Sequence, residues 1–132
     1  MFGKEERIDS FTKITLRESG MRGTWEYEVI SKGDEAEVTL YVHRYVDSER
    51  RREAEETHTC SKDEIVELLN QTGVMKWDGF HGKHPKHVLD GIMFGFTAEV
   101  NDGKTIHADG SQNFPNGYHD FERRISEIAR GR

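Results

Sequence analysis

Apolar and polar residues alternate along most of the first half of the chain. Within Thr24–Ser31, for example, Trp25, Tyr27 and Val29 share one side, while glutamates occupy the other. A period of two residues is typical of antiparallel strands that bury one face. The segments that we predict as strands on this basis are Phe11–Arg17, Thr24–Ser31, Glu35–Val46 and, as a charged edge strand, Glu53–Cys60.

Two turns determine the expected pairing of the first three strands. Gly33 and Asp34 fit a two-residue hairpin turn, which would place apolar residues opposite apolar residues on the neighbouring strand. A slip of one residue would bring every apolar side chain to the wrong face, so the pattern itself selects the register. With a four-residue loop at 19–22 as the other turn, the predicted pairs are Val29 with Val38, Tyr27 with Leu40, Trp25 with Val42, Leu16 with Trp25 and Ile14 with Tyr27.

Two helices are predicted in the rest of the chain. The first begins with a capping box, in which Ser61 is the N-cap and Glu64 stands three residues later, and it ends at Gly73. The second has apolar residues at helical spacing and therefore one apolar side. These apolar residues are Tyr118, Phe121, Ile125 and Ile128.

The second half also contains the most apolar strand, Gly91–Asn101, which is followed by a strand at Lys104–Asp109. A three-residue turn between them pairs Ala98 with Ile106 and sends His107 to the outer face. The resulting order of elements is β-β-β-β-α-β-β-α. It predicts an α+β fold in which both helices pack on one face of an antiparallel sheet.

The length of 132 residues is typical of one domain. An aromatic content of 10% argues against disorder, since disordered chains have few large apolar groups to bury. We predict a flexible, charged N-terminal segment at 1–10 and a single α+β domain at 11–132.

Charge and apolar content narrow the range of partners. The formal net charge of −6 disfavours nucleic-acid binding, which needs a basic surface. The sequence contains no apolar stretch long enough to span a membrane, and its single cysteine excludes an internal disulfide. We expect a protein partner and a cytoplasmic location, with a homodimer as an alternative. If a leader precedes the sequence, the location is extracytoplasmic.

The connection after the first helix contains three regularly spaced histidines, His81, His84 and His87. Neutral imidazoles in such a cluster can bind Zn²⁺ or Ni²⁺ and leave a fourth position open. The same segment contains glycines and a proline that exclude a helix, and lysines whose charge opposes a metal ion. The pattern favours an exposed basic loop, with a metal site as the alternative. Apart from that alternative, no cofactor is expected.

Four short motifs follow one another in the second half: Trp-Asp-Gly-Phe at 77–80, Leu-Asp-Gly at 89–91, Asn-Asp-Gly at 101–103 and Gly-Ser-Gln-Asn-Phe-Pro at 110–115. In this combination, the segment from Trp77 to Ile128 resembles an uncharacterised family of small bacterial domains, found mainly in Gram-positive bacteria. Gln112 and Asn113 depart from the family's Asn followed by a small residue. The resemblance implies the fold and the order of elements but no activity. Relatives with lipoprotein leaders imply the extracytoplasmic alternative.

The two loops that carry these motifs, 77–91 and 110–116, have two interpretations. In the favoured one, glycines and aspartates stabilise tight turns, and the aromatic residues close one end of the core. In the other, the loops meet and form a ligand pocket. The pocket residues would be Trp77, Asp78, Asp90, Ser111 and Asn113.

Known catalytic signatures do not occur in the sequence: it has no phosphate-binding glycine loop, dinucleotide fingerprint or nucleophile elbow. We therefore expect a non-enzymatic binding or accessory domain. The alternatives are a metal-binding protein or metal-dependent enzyme that uses the histidine loop, and an immunity-type inhibitor of a basic toxin. The outer sheet face, with His43 and His107, is expected to be solvated, with a binding or dimer surface as the alternative.

Overall fold

Four consecutive strands, a helix, three further strands and a second helix follow one another along the chain. The computed structural model describes residues 6–132, so the first half of the predicted flexible segment lies outside the described residues. A short 3₁₀ helix, Val74–Trp77, follows the first helix. The other elements are β1 (Phe11–Gly20), β2 (Gly23–Lys32), β3 (Glu35–Val46), β4 (Glu49–Ser61), α1 (Lys62–Gln71), β5 (His81–Gly82), β6 (Met93–Val100), β7 (Lys104–Ser111) and α2 (Tyr118–Ala129).

The strands form one sheet in the order β4-β3-β2-β1-β6-β7-β5. The predicted α+β class is confirmed, and the predicted order of elements roughly matches. The prediction of a purely antiparallel sheet is wrong, because β5 runs parallel to β7 and makes the sheet mixed. From the sequence, this segment is predicted as a loop. Its pairing depends on a distant strand, since His81 lies beside Asp109 and Gly82 beside Gly110.

The β2–β3 hairpin has the register that its turn predicted. Val29 pairs with Val38, and the two further apolar pairs also form as expected. Gly33 has a φ of 63°, a left-handed conformation that glycine adopts without steric cost. The turn residue and the apolar pattern therefore agree on one register.

The β1–β2 register differs from the prediction by two residues. Leu16 pairs with Tyr27 rather than with Trp25, because the turn contains only Met21 and Arg22. A shift of two residues leaves every side chain on its predicted face. The apolar pattern therefore could not distinguish the two registers.

The β6–β7 hairpin confirms the three-residue turn. Ala98 pairs with Ile106, and the side chain of His107 points away from the core and is 65% exposed. Gly103 has a φ of 132° at the end of the turn.

Both helices contribute to a single apolar core on the inner face of the sheet. The Ser61 hydroxyl accepts a hydrogen bond from the Glu64 amide at 3.1 Å, which confirms the predicted N-cap. Burial of one such large apolar side chain stabilises the fold by roughly 1.5–3 kcal/mol. The helix residues in the core are Ile65, Leu69, Tyr118, Phe121, Ile125, Ile128 and Ala129.

Ile8 also belongs to the core. It is fully buried, its amide donates to Asn70 Oδ1 at 3.0 Å, and its carbonyl accepts from Asn70 Nδ2 at 2.8 Å. The core thus includes a residue that precedes the predicted start of the domain at residue 11. Within residues 6–132, neither helix has the length and apolar character needed to cross a membrane.

Candidate functional site

Asp109 lies between two imidazole rings on the outer face near the end of the sheet. The parallel pairing of β5 with β7 brings His81 beside it, and His81 Nδ1 contacts Asp109 Oδ1. On the other side, His107 Nε2 is 3.4 Å from Asp109 Oδ2. Both histidine side chains are largely exposed, so solvent reaches the group directly.

The hydrogen bond with His81 lowers the pKa of Asp109 below its ordinary value. Desolvation opposes this effect, but the charge of His81 and the contacts with His107 add to it, and the pKa is lowered overall. A carboxylate that receives hydrogen bonds stays ionised. Asp109 therefore holds the loop that carries His81 against β7.

The other two histidines of the predicted metal site have separate surroundings. His84 Nδ1 is 2.8 Å from Ser111 Oγ, and its Nε2 is 2.6 Å from the Val88 carbonyl oxygen. His87 is exposed and has a left-handed φ of 68°. As the side chains stand in residues 6–132, three or more histidine, cysteine or acidic residues do not come together as a metal site.

Trp77, one of the five predicted pocket residues, lies in the core and is only 1% exposed. Its ring packs edge-on against Phe96 and Phe121, and its indole N–H donates to the Asn116 carbonyl at 2.9 Å. Asp78 follows it and accepts the His107 amide at 3.0 Å. Trp77 is therefore part of the core, and the hydrogen bond of Asp78 holds loop 77–91 against β7.

The remaining predicted pocket residues have different neighbours. Ser111 contacts His84, and Asn113 Nδ2 donates to the Lys83 carbonyl at 3.2 Å. Both contacts join loop 110–116 to loop 77–91. Asp90 instead lines a separate cleft beside the β1–β2 turn.

Exposed apolar side chains cluster at this end of the sheet. Met21 is 85% exposed, Leu89 is 96% exposed and Met93 is 60% exposed. Met93 pairs with Ser19 at the end of β1, next to the turn that carries Met21. We call this surface the apolar end; its residues are Met21, Trp25, Val88, Leu89, Ile92 and Met93.

A cleft of about 250 Å³ opens within the apolar end. One wall of the cleft requires a glycine at position 91, because a Cβ on Gly91 would lie 2.7 Å from Gln112 Cβ. Gln112 also forms hydrogen bonds to the amide and the carbonyl of Ile92, which hold this wall in place. The lining residues are Gly20, Met21, Arg22, Trp25, Asp90, Gly91 and Ile92.

Trp25, in the cleft lining, is held by a buried carboxylate. Its indole N–H donates to Glu18 Oε1 at 2.7 Å, and the hydroxyl of Tyr118 donates to Glu18 Oε2. Glu18 is 5% exposed, and burial together with the nearby Glu18 charge raises the pKa of Tyr118. The phenol therefore remains a hydrogen-bond donor at physiological pH, and Trp25 has a fixed orientation.

The outer sheet face carries a second polar cluster, centred on Arg52. Its guanidinium is 2.7 Å from Glu26 Oε2 and 3.2 Å from Glu28 Oε2, and it stacks on the Tyr41 ring at 3.4 Å. His43 Nε2 is 3.5 Å from Glu26 Oε1. Burial alone would raise the pKa of Glu26, but the hydrogen bond and charge of Arg52, with a contribution from His43, lower it overall.

The apolar end is not predicted by the sequence. Met21 interrupts a polar turn, and Val88 and Leu89 follow a basic loop, which is a weak signal of exposed apolar residues. Their proximity depends on the pairing of β1 with β6, which joins distant parts of the chain. Local patterns therefore could not reveal the cluster.

Comparison of the chain with protein-family models, with curated proteins and with solved structures gave no match.

Proposed function

We propose that this protein is a non-enzymatic binding domain that receives an apolar side chain of a protein partner at the apolar end. One observation supports this function above all. Five large apolar side chains are exposed among residues 6–132, and all but Tyr45 belong to the apolar end. Exposed apolar residues that form a patch mark interaction surfaces, whereas single ones are common on any protein.

The size and lining of the cleft fit one side chain better than a small-molecule substrate. Ligand pockets usually measure roughly 300–1,000 Å³ and enclose most of the ligand. The cleft is smaller, at about 250 Å³, and among residues 6–132 its charged lining residues are Arg22 and Asp90. In the same part of the chain its lining has no histidine, cysteine or hydroxyl side chain, and the Asp90 carboxylate is exposed to solvent rather than enclosed with a substrate. Binding is therefore the chemistry that these residues support.

The other hypotheses have less support. The metal-binding hypothesis stays a prediction, although His81 and His84 are each occupied by another partner. An immunity-type role and the resemblance of residues 77–128 to the uncharacterised bacterial family also stay predictions. The outer sheet face is the weaker binding surface, because its charges already pair with one another around Arg52.

The proposed function can be tested with N-acetyl-leucine amide as a probe for an apolar side chain. In a titration followed by ¹H–¹⁵N NMR, we expect shifts in the indole N–H of Trp25 and in the amides of Met21 and Ile92. N-acetyl-serine amide should cause no such shifts.

A double variant, Met21→Ser with Leu89→Ser, should reduce these shifts, because it removes apolar surface beside the cleft. Tyr45→Ser is the matched control, since it removes an exposed aromatic side chain elsewhere and should leave the titration unchanged. Equal shifts across the whole surface, or equal responses of the two variants, would contradict the proposal.

A further inference from the structure

Three cations lie at or beside the apolar end on a chain that is acidic as a whole. Arg22 lines the cleft itself. Lys83 and Lys86 belong to the loop in which His84 contacts Ser111, and Ser111 pairs with Met93 of the apolar end.

Within the part of the chain that the structure describes, these three cations have no carboxylate partner. Among residues 6–132, Arg22, Lys83 and Lys86 form no ion pair, whereas Arg52 on the outer face contacts two glutamates. Among residues 6–132, Asp90 is the one carboxylate that lines the cleft, and Glu18 lies buried beneath Trp25, where it accepts two hydrogen bonds. The exposed cations Arg22, Lys83 and Lys86 therefore outnumber the exposed carboxylate Asp90 of the lining, although the chain has a net charge of −6.

We propose that the apolar end binds an acidic segment of a partner protein, with an apolar residue in the cleft and carboxylates facing Arg22, Lys83 and Lys86. This inference rests on the proposed function and adds the chemical class of the partner. Opposite charges around an apolar contact increase the association rate and exclude partners of the wrong sign.

Charge and shape also decide between this partner and two other occupants. A second copy in a two-fold contact would present the same surface and bring cations against cations. An anionic membrane presents a flat surface, which does not fill a concave cleft. An acidic segment can place an apolar residue in the cleft and its carboxylates near the cations.

The test uses three peptides with blocked ends. The first is Glu-Glu-Leu-Phe-Glu-Glu, the second replaces each Glu by Lys, and the third replaces Leu-Phe by Ser-Ser. We expect the first peptide to bind about tenfold more tightly than the other two, as measured by Trp25 fluorescence and by NMR. Added salt should weaken its binding, since the Debye length falls from roughly 10 Å at 0.1 M to 3 Å at 1 M.

Charge reversal provides the matched variants. Lys83→Glu with Lys86→Glu should weaken binding of the first peptide about tenfold. Lys32→Glu with Lys104→Glu makes the same change in net charge at the opposite end of the sheet. This control should leave binding of the first peptide unchanged. Circular dichroism checks that both variants fold.

Equal or tighter binding of the lysine peptide would overturn the acidic-partner inference and leave the proposed function standing. Failure of all three peptides would also overturn it, and the N-acetyl-leucine amide titration would then decide separately whether the cleft binds apolar groups. Binding to phosphatidylserine vesicles in the absence of peptide binding, or dimer formation that Leu89→Ser abolishes, would replace the partner by a membrane or by a second copy.

Discussion

The two tryptophans of the chain lie in opposite environments. Trp77 is buried among aromatic rings and hydrogen-bonds a backbone carbonyl, whereas Trp25 is half-buried and forms a wall of the exposed cleft. From sequence, Trp25 was a core-facing strand residue, and Trp77 was a core residue with a pocket as the alternative. The difference teaches that an aromatic side chain becomes a binding candidate when the fold leaves one of its faces uncovered.

The largest loss of stability is expected at Trp77, the buried tryptophan. Trp77→Ala removes a side chain that contacts two core phenylalanines and leaves a cavity. We expect the free energy of unfolding to fall by about 3–5 kcal/mol, measured by urea denaturation. A loss below about 1 kcal/mol would mean that Trp77 is not the closing residue of the core.

The next largest loss of stability is expected when Glu18, the buried carboxylate that accepts from Trp25, loses a hydrogen-bond donor. Tyr118→Phe leaves Glu18 without one of its two donors, which should cost about 1–3 kcal/mol. Tyr45→Phe is the matched control because its hydroxyl is on an exposed side chain, and it should change stability by less than about 0.5 kcal/mol. Similar losses in the two variants would show that Glu18 does not depend on the phenol.

Ionisation of two half-buried glutamates, Glu26 and Glu122, should change the free energy of unfolding in opposite directions. The pKa of Glu26 is below its ordinary value of 4.5, because Arg52 and His43 outweigh the effect of burial. Its ionised form therefore stabilises the fold above that value, and this contribution disappears as the pH falls through the folded pKa. Burial and the charge of Glu18 raise the pKa of Glu122, so its ionised form destabilises the fold as the pH rises above 4.5.

The corresponding variants are Glu26→Gln and Glu122→Gln. At about pH 7, the first should be less stable than the unchanged chain and the second more stable, each by less than about 1 kcal/mol. Both differences should shrink at about pH 3. Urea denaturation at the two pH values measures them, and changes of the same sign would contradict the assigned environments.

The smallest effect on stability is expected at the apolar end. Leu89→Ser should change the free energy of unfolding by less than about 0.5 kcal/mol, because the side chain is 96% exposed. A loss of binding without a loss of stability would sharpen the contrast between the two tryptophans. A large loss of stability, seen by thermal denaturation, would instead assign Leu89 to the core.

Local patterns were sufficient for much of the fold. The pairing of Val29 with Val38 followed from a two-residue turn with glycine in a left-handed conformation, and the cap of α1 followed from Ser61 and Glu64. The β1–β2 register was wrong because a shift of two residues preserves the buried face.

The features that could not be predicted depend on contacts between distant parts of the chain. β5 has only two residues and depends on its alignment with β7. Gly82 permits this approach, since a Cβ there would lie 2.3 Å from the Asn113 carbonyl oxygen. The two candidate loops contact each other through His84 with Ser111 and through Lys83 with Asn113. The sequence could not show that Asp90 lines a different cleft.

The central position of β1 has a consequence for the order in which the molecule is completed. During synthesis, the first four strands can pair as a local meander, but β1 keeps an unpaired edge until β6 has emerged. Open strand edges promote aggregation, so a chain that stops before Met93 should sediment as aggregates. Of the strands in this sheet, β1 is thus synthesised before the other six and yet is paired on both sides only when β6 arrives.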